Sequence, residues 1–594
     1  MRSILILFIL LPMVSISQPS EQNENSTTTN LEFKTPFEKN NNSTATYFEA
    51  IEFYKNLAHQ FETLELKEYG ATDSGHPLHL AVLSSNGEFE PQSIRKSGKQ
   101  ILMINNAIHP GEPCGVDASM LLLKDYLTKP ELQKYLENLV IIVIPIYNIG
   151  GALNRNSTTR ANQNGPESYG FRGNAQNLDL NRDFIKCDSK NAQTFNQIFT
   201  EWQPDVFVDN HTSNGADYQY TLTLIPTQHN KLDPNLAAYL YDEMLPKLYK
   251  GMAKTDYEMT PYVYARSTPD EGIAEFLDLP RYSSGYAALL NTISFMPETH
   301  MLKPFKSRVE SVHFFMDCMI KTMHDDHKKI KTARHKAIEE TKAKHSFDLN
   351  WELDFTKSTK ITFKGYEAKY KTSEITGLDR LYYDRNAPYE KEIPFYNEYK
   401  TTLSVERPEA YIVPQSNHRV IERLNWNGVE MKRLAKDTEI EVELYQIGNF
   451  ETTDYAYEGH YLHSDLKVEK KMQTWLFRKG DYVIYTNQKS NRYIIETLEP
   501  QAPDAYFSWN FFDGILMQKE YFSSYVFEDL AAEYLKQNPE LKEQLEKKKK
   551  EDDKFASSTR AQLNFIYQNS PWHEKTHRVY PVGRLIQKID LPVE

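Results

Sequence analysis

Six short apolar runs, at residues 78–83, 101–108, 139–146, 206–208, 221–225 and 292–296, alternate with stretches of helical spacing at 116–127, 235–249 and 305 to about 329. That alternation predicts an α/β domain, a mixed and mostly parallel sheet flanked by helices, because strands buried on both faces read as continuous apolar runs. In such a fold ligands gather beyond the carboxyl ends of the strands. His109 follows the second run and His211 closes the fourth, so both stand at such ends.

His109 belongs to Ile108-His-Pro-Gly-Glu112, where a strand gives way to a helix. A His and a Glu three residues apart on that kind of turn can face one point. With His211 they make the His2Glu set that holds one catalytic Zn2+ per chain and leaves a coordination position open. Alone, His109 and Glu112 also read as a helix-start pair, with Glu favoured by the helix dipole.

Four segments fit one mechanism: His109-Pro-Gly-Glu112, Asn177-Leu-Asp-Leu-Asn-Arg-Asp-Phe184, Pro204-Asp-Val-Phe-Val-Asp-Asn-His211 and Phe295-Met-Pro-Glu-Thr-His300. With these in this order, residues 44 to about 329 resemble the zinc metallocarboxypeptidases of the carboxypeptidase A and B type. The resemblance implies a metallocarboxypeptidase-like fold and metal ligands His109, Glu112 and His211. It implies Glu298 as general base, and Asn181 and Arg182 as readers of a substrate's free terminal carboxylate. It also implies an arginine that stabilises the oxyanion, for which Arg160 is the first choice and Arg172 the second. A mobile tyrosine best matches Tyr282, with Tyr286 as alternative. One position departs from many relatives: Gly111 stands where they carry Arg immediately before the zinc-binding Glu. The expected activity is hydrolysis of C-terminal peptide bonds, with peptide or protein C-termini as substrate. Two rivals use the same residues differently: a zinc amidohydrolase acting on cell-wall peptides or N-acyl amino acids, and a binding module without catalysis.

The rest of the chain sets bounds. Its 594 residues exceed one ordinary domain. The net charge of −13 argues against a nucleic-acid partner, since phosphate binding needs a basic surface. Residues 1–17 read as a signal peptide, with Arg2, an apolar core and a small-residue cleavage pattern. Residues 18–43 read as a flexible leader. No other segment approaches a membrane span. The expected location is therefore secreted or periplasmic. Three cysteines, Cys114, Cys187 and Cys318, exclude a disulfide framework, and Cys114 reads as a small buried residue in a first helical turn. The carboxypeptidase-like domain is expected over 44–335. Residues 350–594 are expected to form a β-rich domain with strands near 420–424, 439–447, 471–477 and 482–485, closing with a charged helix near 528–554. The sequence leaves the oligomeric state open.

Overall fold

A computed structural model describes residues 33–594; the expected signal peptide and most of the expected leader lie outside the described residues. The leader does not stay loose to residue 43. Thr35 caps a short helix, Pro36–Lys39, in a reciprocal capping box with Glu38, and Phe37 packs edge-on against Phe305 at 5.9 Å. A buried aromatic and a satisfied cap hold this stretch, where polar composition had suggested flexibility.

The main sheet holds β1 (Leu64–Ala71), β2 (Pro77–Leu83), β3 (Gln100–Asn105), β4 (Leu139–Ile144), β5 (Val206–Asp209), β6 (His211–Ser213), β7 (Leu222–Pro226) and β8 (Met259–Pro261). After the short strands β9 (Tyr264–Ala265) and β10 (Ile273–Ala274), it is completed by β11 (Ile293–His300). The order is β1-β2-β4-β3-β5-β11-β7-β8, with β6 also on β11. β3 lies parallel to β4 and β5, and β5 parallel to β11, whereas β7 runs antiparallel to β11. Residues of β3 and β4 alternate between two cores, as a period of two requires. Leu102, Ile104, Leu139, Ile141 and Val143 pack on one face. Ile101, Met103, Val140, Ile142 and Ile144 pack on the other.

The helix expected at 235–249 is interrupted. It runs as Pro234–Ala238, a π-helical segment Tyr239–Met244, and Leu245–Met252. Phe305–Asp325 and His327–Ala343 then carry the chain out of this unit.

The second half is more mixed than its sequence suggested. β12 (Ser346–Leu353) pairs with the later strand at Tyr399–Glu406, and the long hairpin of β13 (Thr359–Thr372) and β14 (Asp379–Tyr396) joins β10, returning to the first unit. β15 (Tyr399–Glu406) leads to a six-stranded sheet: β16 (Ala410–Val413), β17 (Lys432–Arg433), β18 (Thr438–Ile447), and, after the two-stranded pair β19 (Glu451–Thr452) and β20 (His463–Ser464), β21 (Val468–Phe477), β22 (Tyr482–Tyr485) and β23 (Gly583–Leu585). The expected strand at 420–424 is instead the helix His418–Trp426, whose Val420, Ile421 and Leu424 share one buried face at helical spacing. The expected terminal helix is several: Ser524–Gln537, Pro539–Glu551, Asp553–Ala556 and Thr559–Gln568. Pro539 opens the second, and the side chains of Asp552 and Ser558 cap the third and fourth.

Candidate metal centre and substrate cavity

β3 ends at Asn105, three residues sooner than the apolar run suggested, because Ala107 takes a positive φ of 54° and the chain turns. Asn106 braces the turn, its amide donating to the Ile144 carbonyl at 3.2 Å and to Ser119 Oγ at 3.0 Å. His109-Pro-Gly-Glu112 closes on itself, the Glu112 amide donating to the His109 carbonyl at 2.8 Å, before the helix Cys114–Thr128 begins. Cys114, first in that helix, is buried, and all three cysteines are free.

One ligand atom each from His109, Glu112 and His211 lie within 4.8 Å of one another, and all three residues are buried. Both imidazoles turn Nδ1 inward, His109 Nδ1 lying 3.4 Å from Glu112 Oε1 and His211 Nδ1 lying 3.3 Å from Oε2. Their outer nitrogens are committed: His109 Nε2–H donates to Asp179 Oδ1 at 2.9 Å, and His211 Nε2–H donates to Asp209 Oδ2 at 3.0 Å. Such bonds orient each ring with Nδ1 toward Glu112. Two imidazole nitrogens and a carboxylate then converge on one spot, an arrangement that a bound cation would satisfy. His109 Nδ1, buried and without a hydrogen-bond partner among the described residues, is the clearest sign that the site suits such a cation. The donor set, two nitrogens and one carboxylate, suits Zn2+.

Two arginines flank Glu112. Arg160 Nη1 meets Oε1 at 2.8 Å, while its Nε donates to Gln163 Oε1 at 2.6 Å and its Nη2 to the Thr212 carbonyl at 3.1 Å. Arg172 Nη2 pairs with Asp179 Oδ2 at 2.9 Å, and its Nη1 lies 3.5 Å from Glu112 Oε1. Its side chain is 46% exposed against 15% for Arg160, so Arg172 retains open faces. Burial alone would raise the Glu112 carboxyl, yet Arg160 and the two histidines hold it well below the usual range. Gly111 also finds its reason here. A Cβ at that position would sit 2.7 Å from Arg160 Cδ and 3.3 Å from the Gly170 carbonyl. The space that a larger side chain would need is filled by the stem of Arg160.

A cavity of about 530 Å³ opens over the triad, lined among others by Arg172, Asn181, Arg182, Tyr262, Phe276, Tyr282 and Glu298. Glu298 stands on β11 in register with His211 on β6. Burial raises its carboxyl to about 7, against the pull of His211. The Arg182 guanidinium lies 4.4 Å above the Tyr282 ring and donates through Nη1 to the Asn181 carbonyl at 2.7 Å. Asn181 Oδ1 accepts from the Ser283 amide at 3.1 Å, tying this turn to the helix Ser283–Leu289 that Tyr282 precedes. Tyr286 is not at the cavity: it is fully buried and donates to Asn427 Oδ1 at 2.6 Å. The predicted residues His109, Glu112, Arg160, Asn181, Arg182, His211, Tyr282 and Glu298 therefore line one cavity. Asp179 and Asp209, which orient the two histidines, carry no assignment from sequence; their sole sign was a carboxylate two residues before Asn181 and two before His211.

Residues 50–281 match the family model for zinc carboxypeptidase, a span that ends before Glu298. Over 480 residues the chain is 22% identical to carboxypeptidase 2 of Trichophyton rubrum, covering 77% of this chain and 82% of that one. It is likewise 22% identical over 454 residues to carboxypeptidase 2 of Trichophyton equinum, covering 73% and 77%. Among solved structures, a metallo-carboxypeptidase from Pseudomonas aeruginosa aligns with a TM-score of 0.36 and 16% identity over 48% of this chain and 70% of that one. The carboxypeptidase A of Helicoverpa armigera aligns with a TM-score of 0.35 and 15% identity over 49% and 74%.

Proposed function

The chain carries a zinc carboxypeptidase domain and is a hydrolase of that kind; from this premise we propose that it removes C-terminal residues from peptides with Glu298 as general base. The observation that carries the reading is the meeting, in one cavity, of the inward-facing His109, Glu112 and His211 with Glu298, Asn181 and Arg182.

Zinc held by those three ligands would lower the pKa of its water toward about 7 and polarise the scissile carbonyl. The side chains do the remainder. The Glu298 carboxylate forms no hydrogen bond with the described residues. It is free to take the proton of the attacking water and to return it to the amine that leaves. Its raised pKa suits a group that must both accept and release a proton near neutrality. Arg182 and the Asn181 side-chain amide receive the terminal carboxylate, an anion that a guanidinium meets with charge-assisted hydrogen bonds. Tyr282 covers that guanidinium. For the oxyanion we favour Arg172 over Arg160, because each of the three Arg160 side-chain nitrogens is hydrogen-bonded, whereas Arg172 Nη1 meets, among the described residues, only Glu112 Oε1, at 3.5 Å.

The test is release of amino acids from a peptide library with free or amidated C-termini. Free ends should be shortened one residue at a time, chelator should stop release, and zinc should restore it. Equal cleavage of amidated ends would overturn the reading. So would an Arg182→Ala variant with undiminished kcat/KM, which is the outcome expected of an amidohydrolase that reads no terminal carboxylate.

A further inference from the structure

The turn Tyr457-Glu458-Gly459-His460 belongs to the second half of the chain, yet it reaches the carboxylate reader of the first. It is a tight reversal closed at both ends, the Tyr457 amide donating to the His460 carbonyl at 2.7 Å and the His460 amide to the Tyr457 carbonyl at 3.0 Å. Both central residues have positive φ, 50° at Glu458 and 84° at Gly459. For Gly459 that is free of strain. For Glu458 it is not, and strained non-glycine residues persist where their surroundings over-determine them, commonly at functional sites.

Three bonds leave this turn for the first half. Tyr457 Oη accepts from Arg182 Nε at 3.0 Å. Glu458 Oε2 accepts from the Asp179 amide at 2.7 Å. His460 Nε2–H donates to Asp188 Oδ2 at 2.7 Å. The turn is itself braced from behind. Trp509 stacks on the Tyr457 ring at 6.2 Å, and Arg281, paired with Asp504 at 2.8 Å, lies over both rings.

The two acceptors act on the two ends of one short segment. Asp179 orients His109 and Arg172 and receives the Asn181 amide. Arg182 spends Nε on Tyr457 and Nη1 on the Asn181 carbonyl, leaving Nη2 without a hydrogen bond to the described residues. A guanidinium whose Nε is tied can no longer rotate about its own stem, so the free edge is presented in one orientation.

We infer that Tyr457 and Glu458 are positioning residues for the substrate carboxylate, so that the second half of the chain completes the specificity site of the first. This rests on the exopeptidase reading of Arg182. It goes beyond that reading in assigning to residues 350–594 a part in substrate recognition.

The experiment uses the full, zinc-loaded chain and two readouts. One is calorimetric binding of a panel of N-acetyl amino acids against their primary amides. The other is kcat and KM on free-ended peptides. Tyr457→Phe, which keeps the stacked ring and removes one acceptor, should weaken the carboxylate ligands about five- to tenfold and leave the amides unchanged. KM should rise in step while kcat stays within about twofold, since a bond made equally in ground and transition states is uniform binding. Glu458→Gln retains an oxygen acceptor and should bind as the parent does, whereas Glu458→Leu should resemble Tyr457→Phe. In an Arg182→Ala background Tyr457→Phe should add nothing. If Arg182→Ala removes the preference for carboxylate over amide but Tyr457→Phe does not, or if the two losses simply add, the inference fails and the exopeptidase reading stands. If Arg182→Ala leaves the preference intact, both fall.

Discussion

At the scale of single residues, the candidate metal triad and Glu298 were legible because each lies in a short motif beside or within a strand. Their orienting partners were not. Asp179 and Asp209 are defined by which imidazole nitrogen they face, and no linear spacing encodes that. Gly111 was legible only as a departure; its cause, the Arg160 stem beside it, is a contact between residues 49 positions apart. Under the proposed function, Glu298 is the residue on which the chemistry turns. Glu298→Gln preserves shape and the β11–β6 register but cannot take a proton, and general-base contributions amount to about 10²–10⁴-fold. Steady-state kinetics should show that loss in kcat, with bound zinc, measured by elemental analysis, unchanged. Zinc lost along with activity would make Glu298 a structural support of the centre instead. Asp209→Asn should act in the opposite way. A weaker acceptor for His211 Nε2–H leaves the base in place but lowers metal affinity about 10- to 100-fold, read by competition with a chelating dye.

At the scale of elements, the sheet was readable wherever strands are buried on both faces, as with β3, β4 and β5. It was least readable where tertiary packing chose between helix and strand. Residues 420–424 are apolar enough for either, and the helical choice follows from Val420 and Leu424 meeting the helix Lys190–Trp202 through a shared core. The helix Cys114–Thr128 shows a different dependence. Its Asp117 is buried, accepts hydrogen bonds from Thr44 Oγ1 and the Ala45 amide, and has its carboxyl raised by burial from 3.8 to about 7. The folded chain therefore holds this proton more tightly than the unfolded one does. Stability from this source is complete below about pH 4 and is lost as pH rises through 7. Asp117→Asn cannot titrate, so its melting temperature should fall less between pH 5 and pH 8 than that of the parent. Equal falls, measured by calorimetry in matched buffers, would assign the proton to another group.

At the scale of the whole molecule, the two halves share an interior. One core joins Phe195, Phe199 and Tyr286 to Tyr411, Leu424, Tyr493 and Trp509. Polar bonds cross the same boundary, among them Tyr286 to Asn427 and Arg423 Nη2 to Asp188 Oδ1 at 3.1 Å. Sequence could place a change of character near residue 350, because strand spacing and turns change there. It could not reveal that apolar faces on either side were matched, since complementarity between distant segments leaves no periodic trace. A shared core predicts shared unfolding. Trp509 is fully buried behind the Tyr457 turn, and its Nε1 donates to Asp504 Oδ1 at 3.2 Å. Trp509→Ala should destabilise the chain by about 3–5 kcal/mol, as large aromatic truncations in cores do. Because that core continues beneath helix Lys190–Trp202 to the sheet that carries His109 and His211, the loss should reach the metal centre. Denaturant should then abolish zinc binding and second-half tertiary fluorescence at one common midpoint, lower than the parent's in both probes. Two midpoints, with only the second half shifted by Trp509→Ala, would mean that the halves fold as separate units and that their contact is a docking of finished domains.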